Sequence, residues 1–253
     1  MADSAWVPNL AAAAPTATVV PRHRAVVRVT HWIIAICFLA LLVSGGEIVV
    51  SHPRFYWGES GNVNTPPLFQ LPIPASRAIV PTGYGYVLPD QNGWSRSLHF
   101  QAAWAVVLAG LLYGVFGLWT RHFRNNLFPA GADLRWVKLQ VVIANHVHFR
   151  PPGDDEARSY NVLQRLAYSG VVFLLFPLMI WTGLAMSPAV VSVFPGIVTV
   201  LGGHQSARTI HFFCTLSLVL FLLIHVVMVG LAGFRNRMRA MITGHAESSK
   251  EQA

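Results

Sequence analysis

The sequence predicts an all-α fold: an integral membrane four-helix bundle with a long external loop and a candidate cytoplasmic amphipathic helix. Three observations predict it. Apolar residues make up 54% of the 253 positions and charged residues only 11%, where a soluble domain carries about a quarter charged. Four apolar runs, near 29–50, 98–120, 163–187 and 209–233, each reach the ~20 helical residues that cross a ~30 Å hydrocarbon core. The basic residues gather in alternate connecting segments. Segments 1–28, 121–165 and 234–253 hold 14 Lys and Arg, and segments 51–97 and 188–208 hold only Arg54, Arg77, Arg96 and Arg208. That asymmetry places both termini on the cytoplasmic side, with the first and third helices running outward and the second and fourth inward. The net charge of +8 is therefore topological, and no single basic patch for nucleic acid forms.

Residues 1–28 read as a cytoplasmic tail. Their start lacks basic residues and is broken by prolines, so no cleavable signal peptide is expected. A four-span unit over 29–233 follows, with 234–253 as a second cytoplasmic tail. Within the unit, the external loop 47–97 holds seven prolines and the aromatic stretches "HPRFYWGES" and "TPPLFQLPIP". A loop of that length is functional or disordered, and its aromatic density favours an ordered cap or docking surface. The inner segment contains "DLRWVKLQVVIANHV", where Leu134, Val137, Val141 and Ile143 line one side of an amphipathic surface helix. The run "AVVSVFPGIVTVLGG" (189–203) is too short to span and reads as interfacial or re-entrant. Cys37 and Cys214 fall in different spans at different depths, which excludes a disulfide between them.

Eleven histidines sort by depth. His52 and His204 fall in outer loops, and His23, His122, His146, His148 and His245 at or beyond the inner face, where ordinary interfacial roles suffice. His31, His99, His211 and His225 lie within spans, and ionisable residues there are functional candidates by default. His31 enters the outgoing first helix and His99 opens the incoming second. His211 opens the incoming fourth helix, and His225 follows fourteen residues later, about 21 Å deeper at 1.5 Å per residue. Fourteen residues are nearly four whole turns, so both histidines of that helix share a face. Two pairs result, His31 with His225 at the inner side and His99 with His211 at the outer side. Each pair is placed to ligate one iron from opposite faces.

Arginine precedes three of the four at i−3: Arg28 before His31, Arg96 before His99, Arg208 before His211. Residues at that spacing are helix-face neighbours, and each arginine sits one turn nearer the surface, where haem propionates need cations. Interfacial arginines also anchor helices without any ligand. A zinc site would recruit Cys or acidic ligands as well, and no C-x-x-C-H for covalent haem occurs. Glycines 45, 46, 110, 114, 117, 183, 230 and 233 leave room between spans, although small residues equally serve plain helix packing.

With "RVTHW" (28–32), "SGGE" closing its helix, "SLHFQAAW" (97–104), "YNVLQRLAY" (160–168), "WTGLAM" (181–186) and "RTIHFFCTLSLVLFLLIH" (208–225), the chain resembles the di-haem cytochrome b subunits of formate dehydrogenases, nickel–iron hydrogenases and thiosulfate reductases, the bacterial cytochrome b561-like family. The resemblance covers all four spans in order. It implies two bis-histidine b haems, an inner one on the first and fourth helices and an outer one on the second and fourth. It also implies a quinone site near the inner haem, with Asn161 and Gln164 standing at the quinone-contacting motif; the same two amides would equally satisfy a helix start at the membrane surface. The long periplasmic loop, with "SHPRFYWGE" and its prolines, departs from the formate dehydrogenase pattern. It looks like the branch linked to sulfite-oxidase-like molybdenum enzymes.

The expected function is a membrane-anchoring subunit of the bacterial inner membrane, passing electrons through two b haems between a periplasmic redox enzyme and the quinone pool. That enzyme would be of molybdoenzyme or hydrogenase type, reached directly or through an iron–sulfur or haem subunit. No residues for substrate chemistry stand out. A self-sufficient transmembrane haem reductase acting on an external substrate is the alternative that the aromatic loop keeps open. A histidine proton relay would need acidic partners within the spans, and only Glu47 comes near one.

Overall fold

The computed structural model describes residues 23–62, 64–73, 87–129, 140 and 162–245. Four helices in it are long and apolar enough to cross a membrane: α1 Ala25–Ser51, α2 Val87–Trp119, α3 Val162–Ala185 and α6 His204–Leu231. Short helices α4 (Pro188–Val191) and α5 (Gly196–Thr199) occupy the connection expected to be interfacial. A further helix, α7 (Phe234–Thr243), follows the last span. Two-residue strands β1 (Arg54–Phe55) and β2 (Phe69–Gln70) pair antiparallel in the loop after α1, with Arg54 opposite Gln70 and Phe55 opposite Phe69.

The helices all start before their apolar runs, and α1 also ends beyond its own, at Ser51. Inside lipid every backbone N–H needs a partner, and at the surface the ladder continues until something stops it. For α1 the stop is Pro53: the His52 N–H still reaches the carbonyls of Ile48 and Val49, both at 3.1 Å, and proline then offers no donor. The connection to α2 is consequently 52–86, shorter than the 47–97 expected. In α3 the turn Val171–Leu175 widens to π-helical geometry immediately before Pro177, because the proline ring displaces the carbonyl four residues back. The presumed amphipathic stretch 134–143 lies, apart from Gln140, outside the described residues. Within the C-terminal segment 234–253, read as a tail, Phe234–Thr243 form α7, bracketed by Gly233 and Gly244, both at φ +91.

The surface is apolar and the interior carries small hydroxyls. Val29, Ile36, Leu39 and Val43 of α1 are exposed, as suits a lipid-facing stripe, while Thr30, Ser44 and Thr182 are at most 2% exposed. Their hydroxyls donate to carbonyls one turn back, at 2.8, 2.7 and 2.8 Å, so none is left unsatisfied in hydrocarbon.

The spans pack as two antiparallel hairpins, α1 against α2 and α3 against α6. Between hairpins the close backbone contacts come at the ends. At one end β1 meets α6. At the other, the π-helical turn Phe123–Leu127 docks on the start of α3, where Ser169 donates to the Leu127 carbonyl at 3.2 Å and Arg165 to that of Phe128 at 3.3 Å.

Candidate functional site

In the middle of the bundle, imidazole pairs face each other across the two hairpins. His31 of α1 meets His225 of α6 with ring centroids 6.3 Å apart and planes at 61°. His99 of α2 meets His211 of α6 at the same 6.3 Å, with planes at 58°. A metal–imidazole bond is about 2.0 Å and a ring nitrogen lies about 1.1 Å from its centroid, so two imidazoles on opposite sides of one iron hold centroids about 6.2 Å apart. Both pairs have that separation.

A haem fits the surroundings as well as the distance. Among the described residues no three His, Cys, Asp or Glu side chains converge on one point. Each pair therefore offers a metal two ligands, the number an iron already held by four porphyrin nitrogens needs. A Cβ added at Gly46, Gly110, Gly114 or Gly230 would meet nothing within 4 Å, and a planar ring between the hairpins needs such open space. Gly45 and Gly183 are different: a Cβ there would touch the ring of His99 at 3.4 Å and of His211 at 3.6 Å.

His99 and His211 have a second set of partners that the sequence reading did not single out. His99 Nδ1 is 3.1 Å from the Ser44 hydroxyl, and His211 Nδ1 is 2.9 Å from that of Thr182. Rings stand beside His31 and His225. Trp32 stands edge-on to His31 at 5.5 Å, and Phe221 stacks on His225 at 5.8 Å and 20° with Tyr168 at 6.4 Å. Signals for the hydroxyls lay in the sequence, since "SGG" and "TGL" each stand near the C-terminal end of a span, at the level of His99 or His211.

The arginines divide. Arg28 donates through Nη1 to the Ile242 carbonyl of α7 at 2.6 Å, and its Nε is buried with no partner among the described residues. That orphaned donor suits an anionic group. Arg208 donates to the carbonyls of Arg54, at 2.9 Å, and His52, and its guanidinium lies 4.7 Å over the Phe55 ring. Arg96 is exposed in the first turns of α2. Of the two amides expected near a quinone, Gln164 is half-buried in the first turn of α3 and interacts with a neighbour; Asn161 lies outside the described residues. At the same end, an open groove of about 580 Å³ runs between Arg28, Val29, Trp32, Ile33 and Ile36 of α1 and Met241 and Ile242 of α7, with Trp32 Nε1 donating to the Met241 carbonyl at 3.2 Å. His122, beyond the end of α2, sits among Tyr113, Phe116 and Phe123. Burial, and then the nearby Arg24 charge, hold it below the usual histidine range.

Over 230 residues the chain is 28% identical to a candidate protein-methionine-sulfoxide reductase subunit, YedZ1, of Azospira oryzae, covering 88% of this chain and 96% of that one. No solved structure matches. Residues 22–244, from just before α1 to the end of α7, match the family described as prokaryotic cytochrome b561, and with four membrane-spanning helices around paired histidines the chain belongs to that family of membrane b-haem proteins.

Proposed function

We propose that the chain is the membrane-anchoring cytochrome b subunit of an oxidoreductase complex, carrying electrons through two b haems between a periplasmic redox enzyme and the quinone pool. One observation carries this reading: two histidine pairs with the same 6.3 Å separation bridge the hairpins at two levels of α6. His31 and His225 hold the inner haem, and His99 and His211 the outer one. Arg28, Arg96 and Arg208 stand at the propionate ends, where the free Nε of Arg28 has a donor to give. Bound haem supplies one-electron chemistry, and the protein sets ligand identity, burial and local charge.

The charge asymmetry of the connecting segments supports a bacterial inner-membrane protein with both termini cytoplasmic. The division is a tail (1–28), a four-span unit (29–233) and a C-terminal segment (234–253) that includes α7. Asn161 and Gln164 at the inner start of α3 offer amides to a quinone carbonyl. The aromatic loop at the outer end, and a relative named as a subunit of a methionine-sulfoxide reductase, support a periplasmic partner of the molybdoenzyme class.

A dithionite-reduced minus oxidised spectrum of the purified protein, with haem quantified, tests the reading. The expected result is about two b haems per chain, both reducible by quinol; a haem-free chain, or one haem per chain, overturns it. Asn161→Ala and Gln164→Ala should each slow quinol-driven reduction about tenfold, the loss expected for one buried hydrogen bond, while leaving the dithionite spectrum intact.

A further inference from the structure

We propose that Ser44 and Thr182 are positioning residues that fix the ring orientation and donor strength of the outer haem's two ligands. The inference rests on the two-haem reading above. Each hydroxyl has one proton, and in both cases a helix carbonyl takes it: Ala40 from Ser44 at 2.7 Å, Leu178 from Thr182 at 2.8 Å. The lone pair that each hydroxyl then turns to the imidazole can take an Nδ1 proton, across 3.1 Å from His99 and 2.9 Å from His211, and the Met179 backbone is a second hydrogen-bond partner of His211. A neutral imidazole protonated at Nδ1 has its free lone pair on Nε2, the atom left to face the opposite ring. With the alternative tautomer the hydroxyl would have to give up its helix carbonyl to donate to Nδ1.

The two halves repeat the device. Ser44 on α1 holds His99 of α2, and Thr182 on α3 holds His211 of α6, so each hairpin pins its own outer histidine and aims it at the other hairpin. In each case glycine follows the hydroxyl residue, Gly45 and Gly183, and there a Cβ would already be in contact with the ring. Rings stand beside His31 and His225: Trp32, Phe221 and Tyr168.

A ligand that donates from Nδ1 to oxygen is the more basic at Nε2 and favours the oxidised iron. Removing the acceptor therefore raises the reduction potential of the outer haem alone. The test is a potentiometric titration of the full-length protein, comparing Ser44→Ala and Thr182→Val with the hydroxyl-retaining Ser44→Thr and Thr182→Ser. Two b-haem transitions in the unmodified protein establish the underlying reading independently; without them that reading fails, and this proposal with it. His99→Ala identifies which transition belongs to the outer haem.

In the truncated variants the outer haem's reduction equilibrium should shift about tenfold toward the reduced form, about 59 mV for one electron, with a changed low-spin electron-resonance signal. The inner transition and the hydroxyl-retaining variants should stay put. Selective loss of the outer haem from the truncated variants supports the proposal equally. Unchanged potentials, a shift of the inner haem, loss of both haems, or equal shifts in the hydroxyl-retaining variants overturn it. Where truncation prevents membrane insertion, Ser44→Cys keeps the bulk but weakens the acceptor; an unchanged outer potential there overturns the proposal as well.

Discussion

Arg208 shows how one side chain at the membrane edge can serve two tasks. Its guanidinium has five donors. Two go to the carbonyls of His52 and Arg54, and the face of the group covers Phe55, itself 1% exposed and stacked on Phe69 at 4.7 Å. A cation in that position must be satisfied on all sides, because desolvating it without partners costs several kcal/mol. Charge-assisted hydrogen bonds contribute about 1.5–3 kcal/mol each, so Arg208→Met, which keeps the apolar stem and loses both, should destabilise the loop by about 3–6 kcal/mol. Limited proteolysis within residues 52–73 reads this directly, with cleavage faster in the variant. Unchanged cleavage would mean that Phe55, packed on Phe69 and on Phe212 at 4.4 Å, holds the loop unaided.

The loop is also the cap of α6. Four N–H groups at a helix start have no partner within the helix, and here the loop supplies acceptors. The Gly58 carbonyl takes the N–H of Gln205 at 3.0 Å and of Ser206 at 3.2 Å, and a Glu59 carboxylate oxygen takes that of His204 at 3.2 Å. A carboxylate there also meets the positive end of the helix dipole. Thr209 Oγ1 donates to the Tyr56 carbonyl at 2.7 Å, and Ser206 Oγ accepts from the Gly58 N–H at 2.8 Å. Gly203 allows the fit, with φ +111 and with the Gly58 carbonyl and Glu59 nitrogen where a Cβ would stand. Gly203→Ala should cost about 1–3 kcal/mol for its backbone conformation, and more for the overlap. It should displace His211, two turns on, before His225. Haem content should accordingly fall toward one per chain with the inner haem retained; loss of both haems in parallel would show that α6 moves as one rigid piece. None of this capping was legible in the sequence, because its partners are some 150 residues apart and consist largely of backbone atoms. The spans were legible, since hydrocarbon leaves few alternatives to a 20-residue apolar helix, and so was the depth matching of the four histidines. Their ends were less so, because a helix stops where the backbone finds a breaker such as Pro53, not where the apolar run ends. The helix α7 was missed because Phe234, Met238, Met241 and Ile242 are interleaved with Arg235, Arg237 and Arg239, which read as an inner-side charge cluster.

Across the whole molecule, each hairpin carries one histidine of each pair: His31 and His99 on the first, His211 and His225 on the second. Within a hairpin the backbones pack closely, and between hairpins they meet at the ends. The centre is spanned by the imidazole pairs, so a haem held at either level would tie the two hairpins together, and a ligand that binds only the assembled state stabilises it. This arrangement distinguishes pairing across hairpins from pairing within them. His31→Ala with His225→Ala removes both ligands of one site and should leave about one haem per chain, because the other site keeps both of its ligands. His31→Ala with His99→Ala removes one ligand from each site and should leave close to none. Pairing within hairpins would reverse the outcome: the first double variant would lose both haems and the second only one. Haem extracted and quantified against protein decides between them. Thermal unfolding should follow the same order, with the haem-free double variant melting below the one-haem variant, since only the latter keeps a link across the centre of the bundle.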